Sequence, residues 1–250
     1  YLYLTLHAVD FDKSIEDIDL HELDVFVGAN YLVTLREEEV RGIDRVWKQA
    51  TRDPRHTKRG SDYLLYEVCD AVATDYLPCM DAIDEQSDLV QDEVFDKPTR
   101  GTLNRIFHLK KAVLNLRRVL SPQREVFNKL AREDYAPIDQ AERIYFRDIY
   151  DHFLRLTDLN ESLRDLITGS LDTYLSVVAN RTNEVVKTLT IVTVLFMPLS
   201  FGTGFFGMNF FASLIEVTGD PDPVKLAFSS LIIASMIAVP VLMMLFFRRR

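Results

Sequence analysis

The sequence has few cysteines and no excess of basic residues. Its two cysteines, Cys69 and Cys79, are too far apart for a CxxC metal or redox motif, and nothing in the chain suggests a disulfide framework. The 29 Lys and Arg residues are outnumbered by 38 Asp and Glu residues, which gives a net charge of −9. Phosphate binding needs clustered positive charge, so this balance argues against a nucleic-acid partner and favours cations.

Motifs for catalysis are also missing. The sequence shows no nucleophile–base set, no phosphate-binding loop and no HExxH-type metal motif, so we predict that the protein is not an enzyme. The five histidines are scattered rather than clustered, and no zinc-preferring ligand set is visible.

Charged residues are absent from two segments near the C-terminus. Residues 188–211 and 226–247 contain no Asp, Glu, Lys or Arg, and each run is long enough to cross about 30 Å of hydrocarbon. We therefore predict two transmembrane helices, the first over about residues 188–206 and the second over 226–247. The rest of the chain is charge-rich.

Proline and glycine are scarce in the residues that lead into the first apolar segment. Between Pro137 and Pro198 there is no other proline and the only glycine is Gly169, while apolar residues recur at helical intervals. This pattern predicts one helix of about 60 residues, a stalk over 137–206 that includes the first span. Because such a helix cannot bury its apolar stripe alone, it needs partner helices from its own chain or from other copies.

The N-terminal part predicts a mixed region followed by a helical hairpin. Alternating residues in Tyr1–Val9 and a turn signal at Gly28-Ala29-Asn30 predict strands of a partial α/β domain over 1–60, which also holds a helix from Glu37 to Ala50 and an exposed basic linker. The chain opens inside a strand pattern without Met, so we expect upstream sequence. Residues 61–136 predict an antiparallel helical hairpin, with Ser61 as N-cap and a kink at Pro122.

Acidic residues concentrate near the tip of this hairpin, on more than one helical face. A solvated surface is the plainer interpretation and a cation-related role is the alternative. The residues are Asp81, Asp84, Glu85, Asp88, Asp92, Glu93 and Asp96.

Small and polar residues repeat along one face of the first apolar helix. Asn183, Thr190, Met197 and Gly204 follow at seven-residue intervals. Val186, Thr193, Ser200 and Gly207 lie beside them. Such a stripe indicates either a tight helix contact or an aqueous interior, and the pattern alone leaves both open.

The first apolar run ends near Gly207-Met208-Asn209, and an external loop with the motif over 207–225 carries acidic residues. Basic residues flank the spans on the other side, where Arg181 and Lys187 precede the first span and 248–250 form a basic tail. The positive-inside rule then places both termini in the cytoplasm, and we predict an integral protein of the cell (inner) membrane.

Together these motifs resemble the CorA family of magnesium channels over nearly the whole chain. The resemblance rests on Gly207-Met208-Asn209-Phe210, Asp62-Tyr63-Leu64-Leu65-Tyr66, the Tyr145–His152 stretch and Thr182-Asn183-Glu184-Val185 leading to Phe196-Met197-Pro198-Leu199. It implies a mainly α fold with a small N-terminal α/β remnant, a long stalk helix that continues into the first of two transmembrane helices, and a funnel-shaped homopentamer.

The resemblance also implies residue roles. Gly207, Met208 and Asn209 would form the selectivity ring for Mg²⁺, with Co²⁺ and Ni²⁺ as further ions. Val186, Leu189 and Met197 would form an apolar constriction above an inner polar ring of Asn183. Regulatory Mg²⁺ would bind between subunits at Asp70 and Asp148, with Asp151 and Asp172 as weaker expectations.

Two alternatives stay open at this point. One is a transporter of zinc or another divalent metal from the same superfamily, although Met208 favours magnesium. The other is a membrane-anchored coiled-coil scaffold without transport, in which the stripe only packs helices.

Overall fold

The computed structural model describes residues 1–11, 18–208 and 223–248. The described chain is mostly helical with one small sheet, as the sequence predicts. It divides into two compact units, Tyr1–Val177 and Val178–Arg250, and each is described by itself.

The N-terminal residues form a three-stranded antiparallel sheet in the order β1-β2-β3. The strands are β1 (Leu2–Phe11), β2 (Ile18–Val27) and β3 (Leu32–Arg36). The amide of Gly28 donates to the carbonyl of Tyr31 at 2.9 Å, which closes the turn that the sequence predicts there. Leu4, Leu6 and Ala8 alternate onto the buried face of β1, so the period-two pattern selects the side that packs on the helices.

Helix α1 (Arg41–Arg52) begins four residues later than predicted. The predicted exposed basic linker, Arg52 to Arg59, contains a short helix, α2 (Pro54–Lys58). Asp53 separates the two helices, and its side chain accepts the backbone N–H of Arg55 at 3.0 Å. Pro54 fits the first helical position because no intrahelical partner is lost there.

Helices α3 (Ser61–Asp96) and α4 (Arg100–Arg132) form the predicted hairpin. Thr99 caps α4, since its hydroxyl accepts the N–H of Thr102 at 3.2 Å while the Thr102 hydroxyl accepts the N–H of Thr99 at 3.0 Å. Pro122 lies inside α4.

The predicted N-cap of α3 is wrong. The N-cap is Gly60, whose φ of 117° lies in the region that glycine tolerates, and Ser61 is the first helical residue. The Ser61 hydroxyl donates instead to the carbonyl of Gly28 at 2.6 Å, which ties α3 to the turn after β2.

Asp62 joins the start of α3 to the segment before the last helix of this unit. It is 7% exposed and accepts the N–H of Tyr63 at 2.9 Å and the N–H of Asp139 at 3.1 Å. Two donors therefore compensate for the burial of this side chain.

A buried polar trio links β1 to the hairpin. The Tyr76 hydroxyl donates to the carbonyl of His7 at 2.8 Å, the Gln123 amide donates to the Tyr76 oxygen at 3.2 Å, and the Gln123 oxygen accepts the N–H of His7 at 3.0 Å. Tyr76 and Gln123 are 0% and 2% exposed. Burial raises the pKa of Tyr76, so the phenol stays protonated and can donate.

Gln123→Leu should lower the free energy of unfolding by about 1–3 kcal/mol, because it leaves the His7 N–H without its acceptor in a buried place. Denaturant unfolding in detergent measures the change. Asn104→Ala, at an exposed position of α4, is the matched control and should change stability far less. Equal stability of the two variants would contradict the structural role of the trio.

The long helix predicted from the lack of proline and glycine is present as α5 (Arg143–Phe206), 64 residues long. Within the described residues, α5 is the one helix long and apolar enough to cross a membrane. Helix α6 (Pro223–Arg248) covers the second predicted span, and its apolar stretch Ser230–Met243 is shorter than that of α5.

Candidate functional site

The predicted stripe on α5 is uncovered within a single copy. Val186, Leu189 and Met197 are 54%, 64% and 67% exposed. The other stripe residues, Asn183, Thr190, Thr193, Ser200 and Gly204, are exposed as well. A Cβ added at Gly204 would meet nothing within 4 Å.

A different face of α5 lies against α6. The half-buried positions of this stretch are Ile191, Val194, Leu195, Pro198, Leu199 and Gly202. A Cβ added at Gly202 would meet the side chain of Met236 at 3.6 Å, which is an ordinary contact. At 100° per residue these positions centre about 160° from the stripe. The stripe is therefore not the surface that packs on α6.

The threonine hydroxyls of the stripe are already donating. Thr190 donates to the carbonyl of Val186 at 2.8 Å, and Thr193 donates to the carbonyl of Leu189 at 2.9 Å. A hydroxyl whose proton is used in this way keeps its oxygen lone pairs as acceptors. The stripe can thus offer neutral oxygen atoms to the water shell of a cation without unsatisfied donors.

Helix α5 ends at the predicted selectivity motif. The N–H of Gly207 donates to the carbonyl of Thr203 at 2.9 Å, and a Cβ on Gly207 would lie 2.7 Å from that same oxygen. Glycine is therefore required for this close approach. Met208 follows and is 51% exposed. Asn209 and the predicted acidic loop lie outside the described residues.

Two of the predicted regulatory acids affect the pKa of one tyrosine, Tyr66. Burial raises the pKa of Tyr66, and the carboxylates of Asp70 and Asp148 raise it further. Asp70 lies on α3 and Asp148 on α5, and both carboxylates are near enough to Tyr66 to affect its pKa. His152 Nδ1 lies 3.7 Å from Asp70 Oδ1.

Of the two weaker regulatory predictions, Asp172 lies far from Asp148 and Asp151 lies near it. Asp172 is exposed and lies 24 residues beyond Asp148 on the same helix, or about 36 Å at 1.5 Å per residue. Asp172 and Asp148 therefore cannot bind one ion within a copy. Asp151, half-buried, lies one helical turn from Asp148.

Within residues 1–11, 18–208 and 223–248, no group of three or more His, Cys, Asp or Glu side chains could hold a metal ion inside one copy. Mg²⁺ keeps several of its waters and binds proteins through one or two carboxylates, a chemistry that Asp70 and Asp148 could supply. The sequence prediction places the site between copies and stays a prediction.

Sequence reasoning missed an aromatic cluster beside these acids. The Arg59 guanidinium lies 3.5 Å from the ring centroid of Tyr63 and donates to the Tyr145 hydroxyl at 2.9 Å. The Tyr66 ring is 5.6 Å from Tyr63 and 4.9 Å from Tyr145. The spacing of Tyr63 and Tyr66, three residues apart on one helix, could have indicated that their rings share a face.

Helix α5 is long and apolar enough to cross a membrane, and its apolar part follows a charge-rich unit of sheet and helices. The chain also matches the family described as CorA-like Mg²⁺ transporter protein over residues 1–249. It belongs to this family, which is one of membrane transporters rather than enzymes.

Two individual relatives that match the chain are named as metal-ion transport proteins. The cobalt/magnesium transport protein CorA of Thermotoga maritima is 37% identical over 213 residues, which cover 84% of this chain and 60% of that protein. The zinc transport protein ZntB of Yersinia pseudotuberculosis is 27% identical over 99% of this chain and 72% of its own length. The chain thus spans about 60% of the length of the first of these relatives.

The fold matches a solved structure, the CorA magnesium transporter from Methanocaldococcus jannaschii. The TM-score is 0.83 over 99% of this chain and 75% of that chain, at 24% identity. The predicted fold class of a mainly α chain with a small sheet and a long helix is thereby confirmed.

Proposed function

We propose that the protein is a channel or transporter that admits Mg²⁺, with Co²⁺ and Ni²⁺ as further ions, across the cell (inner) membrane. The observation that carries this proposal is the uncovered stripe of small and polar residues on α5, which leads to Gly207-Met208-Asn209 at the end of the helix. The names of the family and of its cobalt/magnesium relative support the choice of ion.

Five copies would place this stripe around a central pore, with both termini in the cytoplasm and the lipid bilayer around the spans. Within a copy the stripe faces away from α6 and is exposed, so helix α5 of other copies could pack against it. Burying the stripe among copies gives its polar atoms an aqueous interior instead of hydrocarbon.

The chemistry of the motif suits a hydrated ion. Mg²⁺ gives up its waters reluctantly, so a ring of neutral amide oxygens at Asn209 would hydrogen-bond the water shell rather than replace it. A ring of carboxylates would bind divalent ions more tightly and release them slowly. Selection would then act on the ion together with its shell.

The apolar members of the stripe suit a gate. Val186, Leu189 and Met197 are exposed in one copy, and rings of these side chains would form a narrow neck that excludes water until the helices separate. Asn183 lies beyond this neck, toward the start of the helix, and would form the inner polar ring.

Intracellular Mg²⁺ would regulate the gate through Asp70 and Asp148. Mg²⁺ held by these carboxylates between subunits would stabilise the closed state, and its loss would leave like charges to repel each other. Import would therefore slow as the internal concentration rises.

Zinc transport is the second candidate, because the ZntB relative aligns with 99% of the chain. Zinc prefers nitrogen and sulfur ligands. In the described residues both cysteines are buried, and no cluster of His, Cys, Asp and Glu is formed. The observations thus favour magnesium.

Ion flux into liposomes that contain the purified protein tests the proposal. We expect uptake of Mg²⁺ and Co²⁺ that exceeds uptake of Zn²⁺, and slower uptake when Mg²⁺ is raised on the cytoplasmic side. Uptake of Zn²⁺ alone would favour the zinc alternative, and no uptake of any ion would favour the scaffold.

A further inference from the structure

The two helices of the hairpin carry opposite charge. Helix α3 has eleven Asp and Glu residues and no Lys or Arg, whereas α4 has nine Lys and Arg residues and a single acid, Glu125. Solubility alone would not require the acidic residues and the basic residues to lie on different helices, because mixed charges keep a helix soluble equally well.

The acids of the distal half of α3 lie on its outward side. Buried residues there are Ile83, Ser87, Val90 and Val94. The exposed acids are Asp81, Asp84, Glu85, Asp88, Asp92 and Asp96. At 100° per residue these acids centre about 150° from the buried set. We call this surface the acidic face.

Glu93 does not belong to the acidic face. Its carboxylate pairs with Arg105 and accepts the Thr102 hydroxyl at 2.8 Å, so it holds the hairpin together within the copy. The sequence analysis grouped Glu93 with the acids of the tip, and the structure separates it from them.

A matching surface of the other sign lies on α4. The buried residues of this helix include Ile106, Leu109, Val113 and Leu116. Arg100, Lys111 and Arg118 are exposed about 150° from them, together with Phe107 and Leu114. We call this surface the basic face.

Each of the two faces points away from the core that the helices share. Both also carry apolar side chains that are far from buried. On the basic face Phe107 is 52% and Leu114 is 38% exposed, and beside the acidic face Leu89 and Phe95 are 49% and 68% exposed. Exposed apolar side chains that lie together and are rimmed by polar residues mark protein–protein interaction sites.

We propose that the acidic face of one copy docks on the basic face of the next copy. Two different, complementary surfaces on one chain make a head-to-tail contact, and such contacts form a ring where the rotation between copies closes and an open filament where it does not. The charges set partner and register, while the apolar side chains contribute buried area. This inference rests on the proposed ring of copies and assigns it a subunit contact outside the membrane.

Cysteine cross-linking of the full-length protein in detergent tests the contact. The native thiols should not react with the cross-linker, because Cys69 and Cys79 are both 0% exposed. Burial also raises the pKa of Cys69, and it raises the pKa of Cys79 to about 12. Asp88→Cys places a thiol on the acidic face and Lys111→Cys places one on the basic face. A short bismaleimide is added to each single variant and to the double variant.

The double variant should give a ladder of covalent oligomers, and each single variant should stay largely monomeric. Ladders from both single variants would indicate like surfaces in contact and would overturn the proposal, as would a monomeric double variant. Asp88→Cys combined with Glu39→Cys, an exposed acid outside both faces, is the matched control and should stay monomeric.

A charge exchange gives an independent readout. Asp84→Lys with Asp88→Lys should weaken the assembly, Lys111→Glu with Arg118→Glu should do the same, and all four together should restore it. Native mass spectrometry at several salt concentrations measures the assembly. Failure of the fourfold variant to recover, with helical content retained by circular dichroism, would overturn the contact.

The outcome is separable from the proposed function. Mg²⁺ flux by the wild-type protein without any ladder would overturn the contact alone. A ladder in a protein that carries no ion would leave the contact standing and would sink the transport proposal.

Discussion

Asn209→Ala should reduce Mg²⁺ uptake to the level of protein-free liposomes while the assembly stays intact. Under the proposed function, Asn209 supplies the neutral amide oxygens that hydrogen-bond the waters of the incoming ion. Alanine offers no acceptor, so an ion that keeps its shell loses its binding site at the pore mouth. Fluorescence-detected Mg²⁺ uptake measures the flux, and native mass spectrometry measures the assembly.

Asn180→Ala is the matched control for this experiment. Asn180 is an exposed amide on the same helix but lies outside the stripe, so its removal should leave uptake near the wild-type rate. Full uptake by Asn209→Ala would remove the motif from the selection step. Loss of assembly in the same variant would assign Asn209 a structural role instead.

Gly207→Val should also abolish uptake if the proposed function is right. A Cβ at residue 207 would lie 2.7 Å from the carbonyl oxygen of Thr203, so the end of α5 must shift to admit any side chain. Under the proposed function, this shift would displace Met208, and the proposed ring of Asn209 amides would lose its alignment.

Gly202→Ala separates this effect from the general loss of a helical glycine. A Cβ at residue 202 would meet Met236 at 3.6 Å, an ordinary contact, and alanine favours the helix by about 1 kcal/mol. We expect uptake near the wild-type rate for Gly202→Ala. Equal flux from Gly207→Val and Gly202→Ala would show that the close approach at Thr203 has no bearing on conduction.

The helices could be predicted from the sequence because their signals are local. The lack of proline and glycine before Pro198 predicted one long helix over 137–206, although α5 begins six residues later, at Arg143, and the alternation in Tyr1–Val9 predicted β1. The hairpin followed from the break at Pro98. The family could also be recognised from the sequence, because each of its motifs is short and contiguous in the chain.

Contacts between distant residues could not be predicted in this way. Ser61 has the residue type of an N-cap, yet its hydroxyl bonds to Gly28, which is 33 residues away. The cluster of Arg59, Tyr63, Tyr66 and Tyr145 depends on how α3 and α5 pack, and no local pattern encodes that packing. The roles of Gly207, Met208 and Asn209 remain predictions that rest on the resemblance and on the exposed stripe.

The buried carboxylate of Asp62 constrains how this part of the protein can move. Its two oxygens accept from Tyr63 at the start of α3 and from Asp139 just before α5. Separating these segments would break the hydrogen bond between Asp62 and Asp139, and a hydrogen bond to a charged group contributes about 1.5–3 kcal/mol. We therefore expect the start of α3 and the segment before α5 to stay together during small motions of this unit.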